Sequence, residues 1–140
     1  MTEYTQRPKA VIRAICFLVF AVIIGFIYDV YGYIVLRPYG FGLSEVLRII
    51  VPHALLLILI QQIYKGKNWA RVLYAVIFVL IYVYPPIDDI VYEGYKYNTL
   101  GLVKIIIQNV TILIGMYFVF GKESNIWFRA TKVNRGLTTG

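Results

Sequence analysis

The residues of this chain best suited to chemistry are polar ones set inside long apolar runs. His53, the only histidine, shares its run with Glu45, Arg48, Pro52, Gln61 and Gln62. In a later run Gly101, Lys104, Gln108, Thr111 and Gly115 recur at i, i+3, i+7, i+10 and i+14, one face of an α-helix, with Asn109 beside it. Ionisable groups embedded in a membrane mark functional sites by default. Arg48, His53, Lys104, Gln108, Asn109 and Thr111 therefore form a candidate intramembrane polar site. Asp29, Glu45, Asp88 and Asp89 are its acidic partners on the outer side.

Two kinds of chemistry suit this set. The stripe of the later run could form one wall of a polar pathway, with His53 at a similar depth as an ionisable member of it. Arg48 and Lys104 could hold an anionic ligand facing the outer links. The same residues also read as packing. Small and polar residues in a lipid-embedded helix face protein, because they permit close backbone approach and interhelical hydrogen bonds. Arg48 and Lys104 lie a turn or so inside the outer boundary, where their stems can snorkel and their heads can meet the outer carboxylates. On either reading a contact of His53 with Gln108 or Asn109 is expected. The Lys104–Gln108–Thr111–Gly115 face is expected to pack on the second run near Pro52 and His53.

What is absent bounds the chemistry. There is no nucleotide loop, metal-ligand set, cysteine pair or Ser/His/Asp set. One histidine, one cysteine and no polar extramembrane domain leave little from which to build a catalytic centre. The expectation is a non-enzymatic protein without cofactor or metal. The sequon Asn109-Val110-Thr111 falls inside an apolar run and is no glycosylation site. Cys16 also lies in an apolar run and cannot form an intrachain disulfide.

The elements that must position these residues are four apolar stretches, at about 11–33, 43–64, 69–86 and 102–120, followed by a basic tail, 121–140. Each approaches the roughly 20 residues that cross about 30 Å of hydrocarbon. Helix is the form that satisfies its own backbone in lipid, and the alternation of barrel strands is missing. Hydrophobic residues make up 60% of the 140-residue chain and charged ones 15%, against about 45–50% and about 25% in soluble domains. A soluble chain of this length cannot bury so much apolar surface. The expected architecture is a single all-α domain, an integral membrane four-helix bundle.

The connections add detail. Lys65-Gly66-Lys67-Asn68 is so short that runs two and three must be antiparallel neighbours, with Asn68 placed to cap the third helix. Pro52 is expected to kink the second helix and Pro85-Pro86 to end the third. The links after runs one and three carry Asp29, Asp88, Asp89 and Glu93 and most of the tyrosines, an interfacial aromatic belt. Ala14, Ala21, Gly25, Asp29 and Gly32 share a rough face of run one, and Ala21-xxx-Gly25 is a small-xxx-small packing signal.

The net charge of +7 has a membrane distribution rather than that of a nucleic-acid surface. Ten of the fourteen Lys and Arg fall at Arg7, Lys9 and Arg13, at Lys65, Lys67 and Arg71, and at Lys122, Arg129, Lys132 and Arg135. Each group abuts an apolar run, so both termini and the Lys65–Asn68 turn are expected in the cytoplasm. No cleaved signal peptide or lipid anchor is expected, since the first run is too long for an h-region and the myristoylation and prenylation patterns do not fit. In the tail, Ile126, Trp127, Ala130 and Val133 share one side of a helix opposite Arg129, Lys132 and Arg135. It reads either as a helix resting on anionic headgroups or as a frayed tail.

Gly66-Lys67-Asn68-Trp69-Ala70-Arg71, together with Phe120, Ser124, Trp127, Phe128 and Arg129, resembles a recurrent pattern. It is similar to that of small uncharacterised bacterial inner-membrane proteins with a Gly-Lys/Arg-Asn-Trp-Ala-Arg turn and a Ser-x-x-Trp-Phe tail. The resemblance covers two short patches and implies the four-helix plan, without an activity. Small multidrug-resistance transporters share the length and helix count but rely on a membrane-embedded carboxylate in helix one. Here Asp29 is expected at the outer end of that run.

Function follows by subtraction. A multi-pass inner (plasma) membrane protein with short links and no catalytic set is expected to act through a protein partner or as a homo-oligomer, as a subunit, accessory factor or toxin-immunity protein. An oligomeric transporter or channel for a small ion or metabolite is the alternative, and a membrane enzyme the third. The charge pattern predicts that, in a Cys16→Ser background, a cysteine at Asn68 stays unlabelled by an impermeant reagent added outside intact cells. Labelling there would reverse the orientation.

Overall fold

A computed structural model of the chain describes residues 7–36, 42–80 and 99–138. Asp88, Asp89 and the stretch 81–86 lie outside the described residues, as do the side chains of Tyr33 and Glu45. The described residues form five helices and no strand: α1 (Lys9–Leu36), α2 (Leu43–Tyr64), α3 (Asn68–Phe78), α4 (Thr99–Phe120) and α5 (Lys122–Thr138). Val79 and Leu80 carry α3 onward with wider π-type bonding.

Three of the helices are long and apolar enough to cross a membrane, over Lys9–Gly32, Val46–Tyr64 and Gly101–Phe120. Only 28–33% of their most apolar windows is buried inside the molecule. The outward remainder is Ile, Leu, Val and Phe, among them Phe20, Ile27, Val51, Ile58, Ile106 and Leu113. Water would penalise that surface at about 25 cal/mol per Å2, and hydrocarbon does not. The chain therefore carries the marks of a multi-pass membrane protein.

The main seam joins α1 to α4. Gly115 faces Leu18 and Ala14, Gln108 reaches Ala21 and Gly25, and Lys104 reaches Asp29. Positions fall along α4 as they rise along α1, so the two helices are antiparallel. Phe17 stacks on Phe118 in the same register, with ring centroids 6.0 Å apart. The small-residue stripe of α1 and the polar stripe of α4 thus meet each other. That corrects the expected pairing of the α4 stripe with α2. A periodic pattern identifies which face is buried and not which helix covers it. Thr111, on the same stripe, donates to the Ile107 carbonyl of its own helix at 2.7 Å and makes no cross-helix bond.

The turn between α2 and α3 follows from Gly66. Its φ of 73° is the left-handed region that glycine adopts without penalty. The Gly66 N–H donates to the Ile63 carbonyl and the Lys67 N–H to the Gln62 carbonyl, a Schellman closure of α2. Asn68 is the first residue of α3 rather than its cap. The cap position belongs to Lys67, without a side-chain hydrogen bond.

The remaining contacts tie ends together. Arg7 donates to the hydroxyl and carbonyl of Tyr64, and its guanidinium lies 3.7 Å above that ring. Arg71 of α3 donates to Asn125 Oδ1 at 2.6 Å and to the Val119 carbonyl, with the Phe120 and Phe128 rings beneath it. Asn125 and Ser124 in turn donate to the Phe120 and Phe118 carbonyls that end α4. Arg71 so joins two patches of sequence about fifty residues apart. The tail is helical, and its buried side is Ser124, Trp127 and Phe128. Of the expected apolar face, Trp127 packs inward while Ile126 and Val133 are exposed.

A Cβ at Gly115 would sit 2.7 Å from Leu18 Cδ2 and 3.4 Å from the Ala14 carbonyl oxygen. Gly115→Leu should cost about 1–3 kcal/mol by overpacking, seen as a lower unfolding temperature in detergent. Ile106→Leu, on the outward face, should leave that temperature within error. Equal behaviour of the two variants would refute the seam.

Candidate intramembrane polar site

The site lies where three helices, α1, α2 and α4, meet. Pro52 has no N–H to donate to the Arg48 carbonyl, which loosens one turn of α2. In the next position His53 turns its ring back onto that turn, with Nδ1 2.7 Å from the Ile49 carbonyl oxygen. A carbonyl only accepts, so Nδ1 carries a proton. The other nitrogen, Nε2, is buried and has no hydrogen-bond partner. It faces α1, 3.8 Å from Asp29 Oδ2. The Phe26 ring meets the imidazole edge-on at 5.4 Å.

Asp29, expected at the outer end of the first run, lies inside α1, which continues past it to Leu36. Twenty-eight residues make a helix of about 42 Å at 1.5 Å per residue, longer than the hydrocarbon needs. Asp29 consequently projects from a helical turn and stands between two bases. Its Oδ1 is 3.8 Å from Lys104 Nζ, and its Oδ2 faces His53. Both gaps are ion-pair distances beyond hydrogen-bonding range. The carboxylate is 40% exposed and the Lys104 side chain 17%, so the group opens towards one side. The Lys104 ammonium also lies 5.0 Å over the Tyr28 ring, a cation–π contact.

Gln108 completes the site one turn deeper. It is fully buried and donates through Nε2 to the Ala21 carbonyl at 3.3 Å. Gly25 makes this possible. A Cβ there would fall 2.5 Å from Gln108 Nε2 and 3.3 Å from His53 Nε2. Three helices therefore close around a glycine, with amide and imidazole filling the space a methyl group would take.

Of the residues named from sequence, His53, Lys104, Gln108 and Asp29 come together. Arg48 is exposed on α2 and has no polar partner among the described residues. Asn109 is half-buried, with Oδ1 unpartnered. Of the expected contacts of His53 with Gln108 or Asn109, the structure sets Gln108 and His53 side by side at Gly25 and adds Asp29, 3.8 Å from His53 Nε2. Sequence reasoning did not assign Gly25, Phe26 and Tyr28 to the site. The four-residue spacing Ala21–Gly25–Asp29 was the available signal.

The arrangement is one carboxylate between an imidazole and an ammonium, braced by an amide. It can hold one proton at His53 Nε2 or Asp29, but 3.8 Å is too long for direct transfer between them. Among the described residues no three His, Cys, Asp or Glu side chains gather as a metal site. No family model, curated protein or solved structure matches the chain.

Gly25→Ala should push Gln108 off Ala21 and lose that hydrogen bond, about 0.6–1.7 kcal/mol for a cross-helix bond in a membrane. Gln108→Ala removes both the bond and the obstruction. Gly25→Ala added to Gln108→Ala should then lower thermal stability less than Gly25→Ala does alone, a non-additivity read from a double-mutant cycle. Additive losses would place the contact elsewhere.

Proposed function

We propose that the chain is a non-enzymatic, multi-pass protein of the inner (plasma) membrane that works through protein contacts in or at the bilayer, as a subunit, accessory factor or toxin-immunity protein. The observation that carries this reading is the closure at Gly25. There Gln108 of α4 donates to the Ala21 carbonyl of α1, and a Cβ on Gly25 would fall 2.5 Å from Gln108 Nε2 and 3.3 Å from His53 Nε2, which supports a close-packed joint of the three helices. The outward faces of these helices are apolar, which suits contact with lipid or with a partner's helices.

The reading includes four crossings with both termini in the cytoplasm. In it the crossings are α1, α2, the apolar run that α3 opens, and α4. The antiparallel α1–α4 seam and the tight α2–α3 turn support this plan. So do the ten basic residues of the inner segments against Glu3 and Glu123, with four basic and five acidic residues on the outer side. The likeness of the Gly66–Arg71 and Phe120–Arg129 patches to those of small bacterial inner-membrane proteins points the same way, and Arg71 bonded to Asn125 accounts for the two patches occurring together.

One observation favours a second reading, an oligomeric transporter of a small ion. Asp29, His53 and Lys104 are three titratable groups at one membrane-embedded point, and His53 Nε2 is unpartnered. Proton and alkali-cation flux into liposomes separates the two. The proposal expects wild-type protein to match empty liposomes, with His53→Ala and Gln108→Ala changing thermal stability only. Flux in the wild type that disappears in both variants would replace it with the transporter.

A further inference from the structure

At the end of the bundle opposite Asp29, the start of α1, the end of α4 and the start of α5 enclose a recess of about 440 Å3. Its wall holds Lys9, Arg13 and Lys122, with Glu123 as the one carboxylate, and Tyr117 and Phe118 on the side of the apolar span. Lys9 and Arg13 are a helical turn apart on α1, a like-charge spacing that disfavours the helix when nothing offsets it. Lys122 approaches from the opposite side, so three cations converge from two chain segments. Among the described residues none of the three takes part in a hydrogen bond or ion pair, whereas Arg7 and Arg71 each donate two hydrogen bonds. A cavity with uncompensated positive charge calls for an anion.

We propose that this recess binds the phosphate of an anionic glycerophospholipid. Basic pockets at the ends of membrane helices recognise such headgroups by charge. Phosphate oxygens accept from an Arg fork and from Lys ammonium groups. The apolar side of the recess decides between a lipid and a free phosphate. Tyr117 is 76% exposed at the end of the α4 span, and its ring lies where the glycerol and first methylenes of a bound lipid would run. Free phosphate would use the same cations and gain nothing from that ring. A second recess, lined by Gly66, Lys67, Asn68, Trp69 and Lys132, carries two cations and serves as the internal comparison.

The test uses the full chain in neutral detergent, titrated with phosphatidylglycerol, phosphatidylcholine or inorganic phosphate and read by native mass spectrometry. Phosphatidylglycerol should bind in preference to phosphatidylcholine. Arg13→Gln with Lys122→Gln should weaken that binding about tenfold or more, while Lys67→Gln with Lys132→Gln, the same change in net charge, should leave it within about twofold. Both altered positions in the recess are exposed. Circular dichroism checks that helix content is kept, and Lys9→Gln alone provides an independent variant that should also weaken binding. Equal binding of the two lipids, or equal loss in the two double variants, overturns the site. Displacement of the lipid by millimolar inorganic phosphate overturns the lipid as its occupant.

Discussion

Two helices in hydrocarbon gain nothing by hiding apolar side chains from each other, because lipid tails are as apolar as leucine. What remains is close approach, and close approach needs glycine. The α1–α4 seam has one at each end of its length. Gly115 admits Leu18, and Gly25 admits Gln108 and the His53 ring. With the backbones that near, dispersion contacts add along the seam and Gln108 can reach the Ala21 carbonyl. The rest of the bundle is arranged around this pair. α2 packs on α1 through His53, and α3 follows α2 through the Gly66 turn.

The rim facing away from Asp29 is organised by a different force. There helix ends leave carbonyls without intrahelical partners, and each exposed carbonyl near lipid is costly. Ser124 and Asn125 donate to Phe118 and Phe120, so the first turn of α5 finishes the last turn of α4. Arg71 then fixes α3 to that junction by one short bond and two ring contacts. The guanidinium is held over the Phe120 and Phe128 rings because its flat faces are weakly hydrated and stack well. A lysine at that place would keep the charge and lose the stacking. α5 is thereby a structural part of the bundle rather than a free tail, and Trp127 and Phe128 turn inward to meet it.

How much of this was legible before the fold depends on what periodicity encodes. The apolar windows and the two stripes, Ala21–Gly25–Asp29 and Lys104–Gln108–Gly115, are spacing signals, and the structure shows both stripes buried or partly buried. Their pairing with each other was not legible, since two helices beside α1 run in the same direction and spacing does not choose between them. Asp29 reads both as the outer end of the first run and, among its tyrosines, as part of the link; Tyr28, Asp29, Val30, Tyr31 and Gly32 all belong to α1, which runs on to Leu36. Asn68 has the chemistry of a cap, but the Schellman closure uses Lys67 to complete α2 and leaves it in the extended conformation that precedes α3.

The polar site shows how one change of helix length alters the meaning of its residues. Had α1 ended before Asp29, Lys104 and His53 would be two basic groups facing each other across α1 with no counter-charge. An unpaired ammonium near the membrane interior is expensive. The extra turns of α1 bring the carboxylate to 3.8 Å from each. Neither separation is a hydrogen bond, so the carboxylate can serve both bases while tied to neither. His53 is held more firmly from its own helix, through Nδ1 and Ile49, than from across the seam. The His53–Ile49 bond, the close approach at Gly25 and the buried amide of Gln108 are contacts by which the three helices meet, with the glycine setting how near they come.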